Sequence, residues 1–506
     1  MRKSAVRKLD VGAPAGRAKA APAPKAATAP AERLPLVLDL DGALIASDVL
    51  VECLLAFIKH SPLESWRLVV WLLQGRAVLK ARLAERVAIA VELLPESPAL
   101  VAYAQAAHRA GRDVYLATGA DRRIAEAVSR RYPFIKDVLA SGGRVNLKGR
   151  RKAEALAARF PDGFAYAGDS RADAAVWRSA KAGVFAGTAP GIGRMAARLT
   201  HIEGDAARPG AGLSTWRRAL RLQQWAKNAL VFAPMILAGK SGDPAAWIAG
   251  LGAFVAMGAV ASATYLVNDL TDIEDDRRHP AKRLRPLASG ELPLKAAILA
   301  APLLLAAGFA LAALVAGLAG VLALAGYTAG TLAYSLRLKR VPILDVLVLA
   351  GLFTGRLLFG AAAAQAPATP WLLVLCMFAF ASLALSKRAA EIARCAAAGT
   401  DMPVGRGYRL ADAPFVSGLG AATAVASVLV LVLYLVNDAM PVGLYARPSM
   451  LWGAPVALSL WFGRIWLLCG RGELHEDPVA FAVRDRVSLA LGAATLASVA
   501  LARMPL

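Results

Sequence analysis

Apolar residues follow two different patterns along the chain, and the pattern changes near residue 214. Before that point, short apolar runs alternate with amphipathic stretches, whereas long uncharged runs follow it. A helix that crosses a bilayer needs about 20 mostly apolar residues. Nine apolar segments follow, most of which approach that length although the first is short, at 228–240, 246–266, 295–314, 316–335, 343–363, 369–386, 415–435, 450–469 and 486–502. The pattern therefore predicts an all-α polytopic membrane bundle in the C-terminal part of the chain.

The N-terminal part alternates strands and helices, as a doubly wound α/β sheet does. Apolar runs of strand length lie at 35–41, 113–118, 164–168 and 182–186, and residues 49–95 have helical periodicity. In such a sheet the ligand site lies at the carboxyl ends of the strands. We predict a disordered basic tail over 1–33, an α/β domain over 34–200, a linker over 201–214 and a membrane domain over 215–506.

The composition supports this division and excludes other classes. Hydrophobic residues make up 57% of the 506 residues and charged residues 19%, which excludes extensive disorder. The net charge of +23 does not indicate nucleic-acid binding, because the basic residues lie in the tail and in short loops between apolar runs. Of the basic residues that flank the apolar segments, most lie in the loops after the second, fourth, sixth and eighth segments. The positive-inside rule therefore predicts a multi-pass plasma-membrane protein whose N-terminal domain and active site are cytoplasmic. The four cysteines are scattered, which argues against a disulfide framework or a zinc site.

Candidate catalytic residues follow the strands of the predicted α/β domain. Asp39 and Asp41 are two residues apart at the end of the first strand, so their side chains face the same way. They can supply a nucleophile and an acid/base, and share a Mg²⁺ that screens a phosphoryl group. The other candidates are Thr118 for phosphate oxygens, Lys152 (or Lys148) for charge neutralisation, and Asp169 and Asp173 for the metal.

In this order, these four motifs resemble those of the haloacid-dehalogenase-like phosphatases over about 34–200. The resemblance implies that Asp39 is the phosphorylated nucleophile and Asp41 the general acid/base, and that residues 49–95 form a helical cap inserted between the first two motifs. Ala43 departs from the family, which usually has Thr at that position. The alternative is a domain that retains this fold without its activity.

The most informative polar segment follows the second apolar segment. Asn268, Asp272 and Asp276 are spaced i, i+4, i+8 and are predicted to share one helix face, with Asp269 and Asp275 beside them. Carboxylates on one face repel unless a cation binds them, and such a cluster suits Mg²⁺ held jointly with a substrate's phosphates. Basic donors to the same phosphates follow at Lys282, Arg283 and Arg285. The alternative is a solvated acidic helix end followed by a positively charged loop.

Polar residues near the ends of later segments are predicted to lie on the same side of the membrane. They are Tyr334, Lys339, Asp345, Lys387 and Arg388. Arg356 lies inside the fifth apolar segment, where an unpaired charge is costly. It therefore either faces a polar cavity or forms an ion pair with Asp345.

Residues 215–506 resemble the UbiA superfamily of intramembrane prenyltransferases, through the segment Asn268-Asp269-x-x-Asp272-x-x-x-Asp276 and the nine-segment count. The resemblance implies a helical bundle with a central cavity, in which Mg²⁺ bridges acidic motifs and a (di)phosphate. The family's usual second motif has two aspartates four apart. Here only Asp345 matches, because position 349 is Leu, which departs from the pattern expected for the ordinary diphosphate donor.

Within that superfamily, the segments 224–228, 279–286, 334–339 and 386–391 resemble the decaprenyl-phosphate phosphoribosyltransferases. This resemblance implies transfer of 5-phosphoribose from phosphoribosyl diphosphate to a polyprenyl phosphate, after which the fused phosphatase would remove the 5-phosphate. One alternative is prenylation of an aromatic quinone precursor from a polyprenyl diphosphate. Another, of a different class, is a transporter or lipid-binding scaffold. The expected cofactor is Mg²⁺ and the expected partners are membrane lipid and these substrates, with no nucleic acid.

Overall fold

The computed structural model describes residues 34–142, 145–400, 406–441, 443–474, 478–482 and 484–504. The predicted basic tail, residues 1–33, lies outside the described residues. The chain divides into two compact units. The first contains the described residues up to Gly212 and the segment Ser289–Pro293, and the second contains those of Leu213–Ala288 and Leu294–Leu506.

The first unit is built on a parallel sheet of six strands, in the order β3-β2-β1-β4-β5-β6. The strands are β1 Leu36–Leu38, β2 Val114–Asp121, β3 Ile135–Ser141, β4 Ala165–Gly168, β5 Ala182–Phe185 and β6 His201–Asp205. The helices are α1 Val49–His60, α2 Trp66–Leu73, α3 Arg76–Arg86, α4 Pro98–Arg109, α5 Arg122–Ser129, α6 Arg150–Arg159, α7 Ala174–Ser179 and α8 Pro190–Leu199. The predicted parallel sheet with helices is confirmed.

The alternation of side chains along β1 explains why helices cover both faces of the sheet. Leu36 and Leu38 are buried in a cluster that includes residues of α1, α3, α4 and α5. Val37, between them, is buried in a second cluster with residues of α6, α7 and α8, among them the fully buried Trp177. Because successive side chains of a strand point to opposite faces, one apolar run supplies both cores.

Two strands, β3 and β6, lie outside the four that the sequence predicts. The pattern of β3 is interrupted by Lys136 and Asp137, and Ile202 is the one large apolar residue of β6. Both lie at the edges of the sheet, where one side of the strand needs no pairing partner. The linker prediction for 201–214 is wrong over 201–205, because this segment pairs with β5.

The described part of the second unit consists of helices and their connections. These helices are α9 Leu213–Ala219, α10 Ala233–Leu237, α11 Pro244–Thr271, α12 Ile273–Arg278, α13 Leu294–Leu336, α14 Leu344–Ala364, α15 Pro370–Ala397, α16 Ala413–Tyr434, α17 Gly453–Gly470, α18 Pro478–Ala482 and α19 Arg486–Arg503. Among the described residues, seven helices are long and apolar enough to cross a membrane; they contain α11, α13, α14, α15, α16, α17 and α19.

Among the described residues, the nine predicted segments are therefore one too many when the two halves of α13 are counted separately. The segments 295–314 and 316–335 correspond to these halves, because the 43 residues of α13 are interrupted by non-helical backbone angles at Gly317, with φ of 57° and ψ of −156°. A straight helix of that length would measure about 65 Å, roughly twice a bilayer core. The segment 228–240 falls on the 3₁₀ helix Leu222–Phe232 and the five-residue α10, which are too short to span.

We expect Trp177→Ala to lower the free energy of unfolding of the first unit by about 3–5 kcal/mol, because a buried aromatic side chain would leave a cavity. Trp177 is fully buried and its ring meets the edge of Tyr166 at 6.4 Å between centroids. Pulse proteolysis of the full chain in urea measures the change. Ser179→Ala, at an exposed position on the same helix, is the matched control and should change stability by less than about 0.5 kcal/mol. Equal urea midpoints for the two variants would contradict the assigned core.

Candidate functional site

In the first unit, the carboxyl ends of β1 and β4 bring three predicted metal and catalytic residues together. Asp39 follows β1, and Asp169 and Asp173 follow β4, its parallel neighbour. One oxygen from each carboxylate lies within 4.8 Å of the other two, a spacing that a divalent cation can bridge. Among the described residues, this is the one group of three or more acidic, histidine or cysteine side chains arranged in this way.

Lys152, at the start of α6, is the cation that the structure places in this cluster. Its Nζ donates to Asp39 Oδ1 at 2.8 Å and to the Tyr166 hydroxyl at 2.9 Å, and lies 3.9 Å from Asp173 Oδ1. The Tyr166 hydroxyl in turn donates to Asp173 Oδ1 at 2.9 Å. Of the two lysines that the sequence offered, Lys152 is therefore the one bonded to Asp39.

The backbone at Gly42 packs directly against the cluster. Gly42 has φ of +80°, and a Cβ added there would lie 2.1 Å from Asp169 Oδ2. Only glycine tolerates both this conformation and this approach. Gly42 thus lets the turn after β1 reach the carboxylate that follows β4.

The cluster is short of positive charge, and this shortage favours a bound cation. Burial, together with Asp39 and Asp173, raises the pKa of Asp169 to about 8. Burial also outweighs the attraction of Lys152 and raises the pKa of Asp39 to about 6. Because a nearby cation favours ionised carboxylates, these residues fit a Mg²⁺ ion that would supply the missing charge.

Asp41 and Thr118 occupy the same edge of the sheet. Asp41 Oδ1 accepts a hydrogen bond from the Val49 N–H at 2.8 Å, and burial together with Asp48 raises the pKa of Asp41 to about 7. A carboxyl with this pKa can both donate and accept a proton near neutral pH. Thr118 is fully buried on β2, and its Oγ1 accepts from the Ala120 N–H at 3.0 Å.

In the second unit, the Asp-rich segment lies at the junction of α11 and α12. Helix α11 ends and α12 begins at Asp272, and helical backbone hydrogen bonds from Asp272 to Asn268 and from Asp276 to Asp272 continue across this point, at 2.9 and 2.8 Å. The pair that shares a partner is Asp269 and Asp276, which are 4% and 2% exposed. Both accept from Arg285 Nη1, at 3.1 and 2.6 Å. The Arg285 guanidinium, which is positively charged, lies between these two carboxylates. The oxygens of Asp269 and Asp276 therefore also fit a divalent cation at that point.

Further basic side chains surround this segment. Arg221 forms an ion pair with Asp269, and Lys282 Nζ lies 3.9 Å from Asp276 Oδ1. Lys339, on the turn after α13, bonds Asp272 at 3.0 Å. Among the other predicted residues, Asn268 and Lys387 are half-buried and Arg283 is exposed.

Asp345 is neutralised by residues of other helices and loops. It is fully buried, and Oδ1 accepts from the Tyr408 hydroxyl at 2.7 Å while Oδ2 lies 3.0 Å from Arg388 Nε. Arg388 also forms an ion pair with Glu391. Oδ1 of Asp345 is therefore hydrogen-bonded, whereas Oδ2 is in ion-pair contact with Arg388 without a hydrogen bond, and the carboxylate is part of a buried ion-pair network.

Arg356, buried in the middle of α14, is bonded to neutral groups. Its guanidinium donates to Asn228 Oδ1 at 3.1 Å, to the Tyr327 hydroxyl at 3.0 Å and to the Leu352 carbonyl at 2.9 Å. It also lies over the ring of Phe353, 4.8 Å from the centroid. The predicted ion pair between Arg356 and Asp345 is therefore wrong, because the guanidinium is hydrogen-bonded to an amide, a hydroxyl and a carbonyl oxygen.

Comparison with known proteins identifies the second unit. The model of the UbiA prenyltransferase family matches residues 229–489, slightly more than half of the chain. The chain belongs to the UbiA prenyltransferase family. Together with the seven apolar helices, this makes it a multi-pass membrane protein.

Relatives of this UbiA-family chain match it over different lengths. The uncharacterized protein y4nM of Sinorhizobium fredii is 38% identical over 465 residues, which cover 91% of this chain and 89% of that protein. A decaprenyl-phosphate phosphoribosyltransferase of Mycolicibacterium smegmatis is 38% identical over 205 residues, or 38% of this chain and 63% of that enzyme. A solved UbiA homolog from Archaeoglobus fulgidus, bound to GPP and Mg²⁺, covers 56% of this chain and 99% of its own with 16% identity and a TM-score of 0.43.

Sequence reasoning missed several residues that hold these sites together. In the first unit, Tyr166 lies two positions before Gly168 on β4, so these two residues lie on the same face of the sheet. In the second unit, Arg221 and Tyr408 lie in connections outside the predicted apolar segments. Arg406 likewise lies in a loop and donates to the Tyr334 hydroxyl at 2.7 Å. The sequence shows that these residues can form hydrogen bonds. Local spacing does not reveal which residues, distant in sequence, they contact.

We expect Gly42→Ala to remove divalent-metal binding from the first unit, because the added methyl group would displace the Asp169 carboxylate. Titration of the full chain with Mn²⁺, followed by electron paramagnetic resonance, counts the bound ions. Gly42→Ala and Asp169→Asn should lose the same equivalent. Gly111→Ala is the matched control, since Gly111 has a similar φ of +86° but open space around its Cβ position. Unchanged Mn²⁺ binding by Gly42→Ala would contradict the assigned site.

Proposed function

We propose that this chain is a Mg²⁺-dependent transferase that moves 5-phosphoribose from phosphoribosyl diphosphate to a polyprenyl phosphate. The observation that carries the proposal is the alternation of carboxylates and cations at the α11–α12 junction, where Arg285 bridges Asp269 and Asp276. Such a set can hold a metal through its carboxylates and phosphates through its basic groups. The relatives that are decaprenyl-phosphate phosphoribosyltransferases support this substrate class.

The contacts of Asp345 also support phosphoribosyl diphosphate as the donor of the transferred group. The usual second motif of the family would supply two aspartates, but position 349 is Leu and Asp345 is engaged by Arg388 and Tyr408. A carboxylate that is neutralised in this way is less available to hold a metal. Arg388, its basic partner, adds to the positive charge of the site. A substrate with several phosphates requires a site with more cationic than acidic groups.

In the proposed reaction, an oxygen of the polyprenyl phosphate attacks C1 of the ribose while the C1–O bond to diphosphate breaks. A bound Mg²⁺ supplies positive charge to the leaving diphosphate. Asp269, Asp272, Asp276 and Asn268 would hold the metal, and Arg285 would turn from its carboxylates to a phosphate. The other basic residues that would bind phosphates are Lys282, Arg283, Lys339, Lys387 and Arg388. Stabilisation of the departing charge is the main contribution that such a site makes to the rate.

The first unit, over about 34–200, is proposed to be a haloacid-dehalogenase-like phosphatase that removes the 5-phosphate of the product. The Asp39 carboxylate would attack phosphorus, the P–O bond to the ribose oxygen would break, and Asp41 would protonate that oxygen. Water, deprotonated by Asp41, would then hydrolyse the acyl phosphate on Asp39. Support comes from the Asp39, Lys152, Asp169 and Asp173 cluster. Tethering raises the effective concentration of a product that stays in the bilayer.

We further propose that both sites are cytoplasmic. The connections after α11, α13 and α15 carry the polar residues of the candidate transferase site, and they also hold many of the loop Lys and Arg residues. Basic loops remain on the cytoplasmic side of a plasma membrane.

The substrate assignment is tested with the full chain in detergent, supplied with Mg²⁺, a polyprenyl phosphate and phosphoribosyl diphosphate. Mass spectrometry of the lipids should show a phosphoribosyl or ribosyl adduct, and the ratio of the two reports the phosphatase. Absence of any sugar adduct from folded protein would contradict the proposal. Prenylation of an aromatic acceptor from a polyprenyl diphosphate, measured in parallel, would then identify the other reaction of the family.

We expect the two activities to be lost separately. Asp272→Asn should lower phosphoribosyl transfer by about 100-fold or more and leave hydrolysis of a soluble phosphate ester unchanged, because it removes a charge from one site only. Asp39→Asn should do the reverse and cause the phosphorylated lipid to accumulate. Matched controls are Asp243→Asn, which retains a side chain that can cap α11 at its other end, and Asp162→Asn on the surface of the first unit. If either Asp272→Asn or Asp39→Asn abolished both activities, the proposal of independent sites would be wrong.

A further inference from the structure

Helix α2 of the first unit has an apolar face that the described protein leaves exposed. Trp66, Val69, Val70 and Leu73 are spaced i, i+3, i+4, i+7 and therefore form one stripe along the helix. Their exposed fractions are 63%, 61%, 39% and 83%. This spacing is that of a helix face which proteins normally bury.

The opposite side of the same helix already packs on the protein. Trp71 is 8% exposed, and its ring meets Phe57 edge-on at 5.4 Å between centroids. The guanidinium of Arg86 lies over the same ring, at 5.3 Å. Leu68 packs against the same core. The exposed stripe is thus a second apolar face and is not needed to hold α2 in the fold.

Neighbouring residues enlarge the stripe into a patch. Leu63, in the 3₁₀ turn before α2, is 91% exposed, and Leu72 is 51% exposed. We call Leu63, Trp66, Val69, Val70, Leu72 and Leu73 the outer apolar patch. Contiguous exposed apolar surface of this kind marks a site of interaction with protein or membrane.

The net charge of the segment that carries the patch favours a membrane over a protein as the partner. Residues 58–86 contain six basic and two acidic side chains, which are Lys59, Arg67, Arg76, Lys80, Arg82 and Arg86 against Glu64 and Glu85. A tryptophan-containing apolar face on a segment with an excess of basic residues is the composition of helices that lie in a membrane interface. The positive excess matches the negative potential of anionic lipid headgroups.

The membrane-spanning unit of the same chain also holds the first unit close to a bilayer. The first unit is covalently joined to a unit of membrane-spanning helices, so its tether maintains a high effective concentration of membrane surface. Helix α2 has eight residues, or about 12 Å of helix, and therefore is too short to span the bilayer core. It is suited to lie in the interface plane.

We propose that the outer apolar patch inserts into the headgroup region of an anionic bilayer and holds the cap, the helical insert of the first unit, on the membrane surface. Helix α3, which follows α2 directly, carries Lys80, whose Nζ donates to Asn146 Oδ1 at 3.0 Å beside the phosphatase candidate site. Because Lys80 lines a cavity together with Asp41, membrane contact by the patch would hold the cap side of that site near phosphates that remain attached to lipid. This attachment does not depend on which reaction either unit performs.

The experiment uses nitroxide labels on the full chain in lipid nanodiscs containing equal parts of phosphatidylglycerol and phosphatidylcholine. One label is attached at Val69→Cys in the patch and another at Ser179→Cys on an exposed part of α7 as the control. The signal of the labelled wild-type chain, which has four cysteines, is subtracted from both. Collision rates with oxygen, which enters the bilayer, and with a water-soluble nickel chelate give the depth of each label.

We expect the Val69 label to collide often with oxygen and rarely with nickel, at a depth of about 5–10 Å in the interface. The Ser179 label should collide mainly with nickel. Trp66→Asp should move the Val69 label toward water and leave the Ser179 label unchanged, which also shows that the unit remains folded. A Val69 label that behaves like the Ser179 label would overturn the proposal. Protection of Val69 from both reagents would overturn it as well, since that result means protein covers the patch.

Discussion

Acidic side chains out of water must be neutralised, and both units of this protein are organised around that constraint. Asp39 is held by Lys152 in the first unit, and Asp269 and Asp276 are held by Arg285 in the second. Removing one partner from a buried pair leaves an uncompensated charge, at a cost of about 3–5 kcal/mol. The carboxylates and cations of each site are therefore interdependent. The same requirement lets a metal and a phosphate replace them as partners during a reaction.

The surrounding fold brings these charges together through a few special positions. In the first unit, Gly42 lets the backbone approach Asp169, and Tyr166 links Lys152 to Asp173. In the second unit, close helix packing depends on residues without side chains. A Cβ on Gly360 would lie 2.1 Å from the Val231 carbonyl oxygen, so glycine lets α14 approach the 3₁₀ helix that also carries Asn228, a hydrogen-bond partner of Arg356.

The sequence predicts elements that depend on a local pattern of residues, but it does not predict contacts between residues that are far apart along the chain. The apolar run before Asp39 predicts β1 because a strand buried on both faces needs no alternation. Long uncharged runs likewise predict most of the membrane helices. The division between 295–314 and 316–335 likewise predicts the interruption of α13 at Gly317. Partners such as Asp345, Arg388 and Tyr408 come from separate elements, so no local spacing encodes their contact.

The central claim is that the Arg285 bridge occupies the position where metal binds in the working transferase. Cryo-electron microscopy of the full chain with Mg²⁺ and phosphoribosyl diphosphate tests it most directly. The account predicts metal density between Asp269 and Asp276, with the Arg285 guanidinium moved to a phosphate oxygen. Arg285 still bonded to both carboxylates, with the diphosphate bound elsewhere, would contradict it.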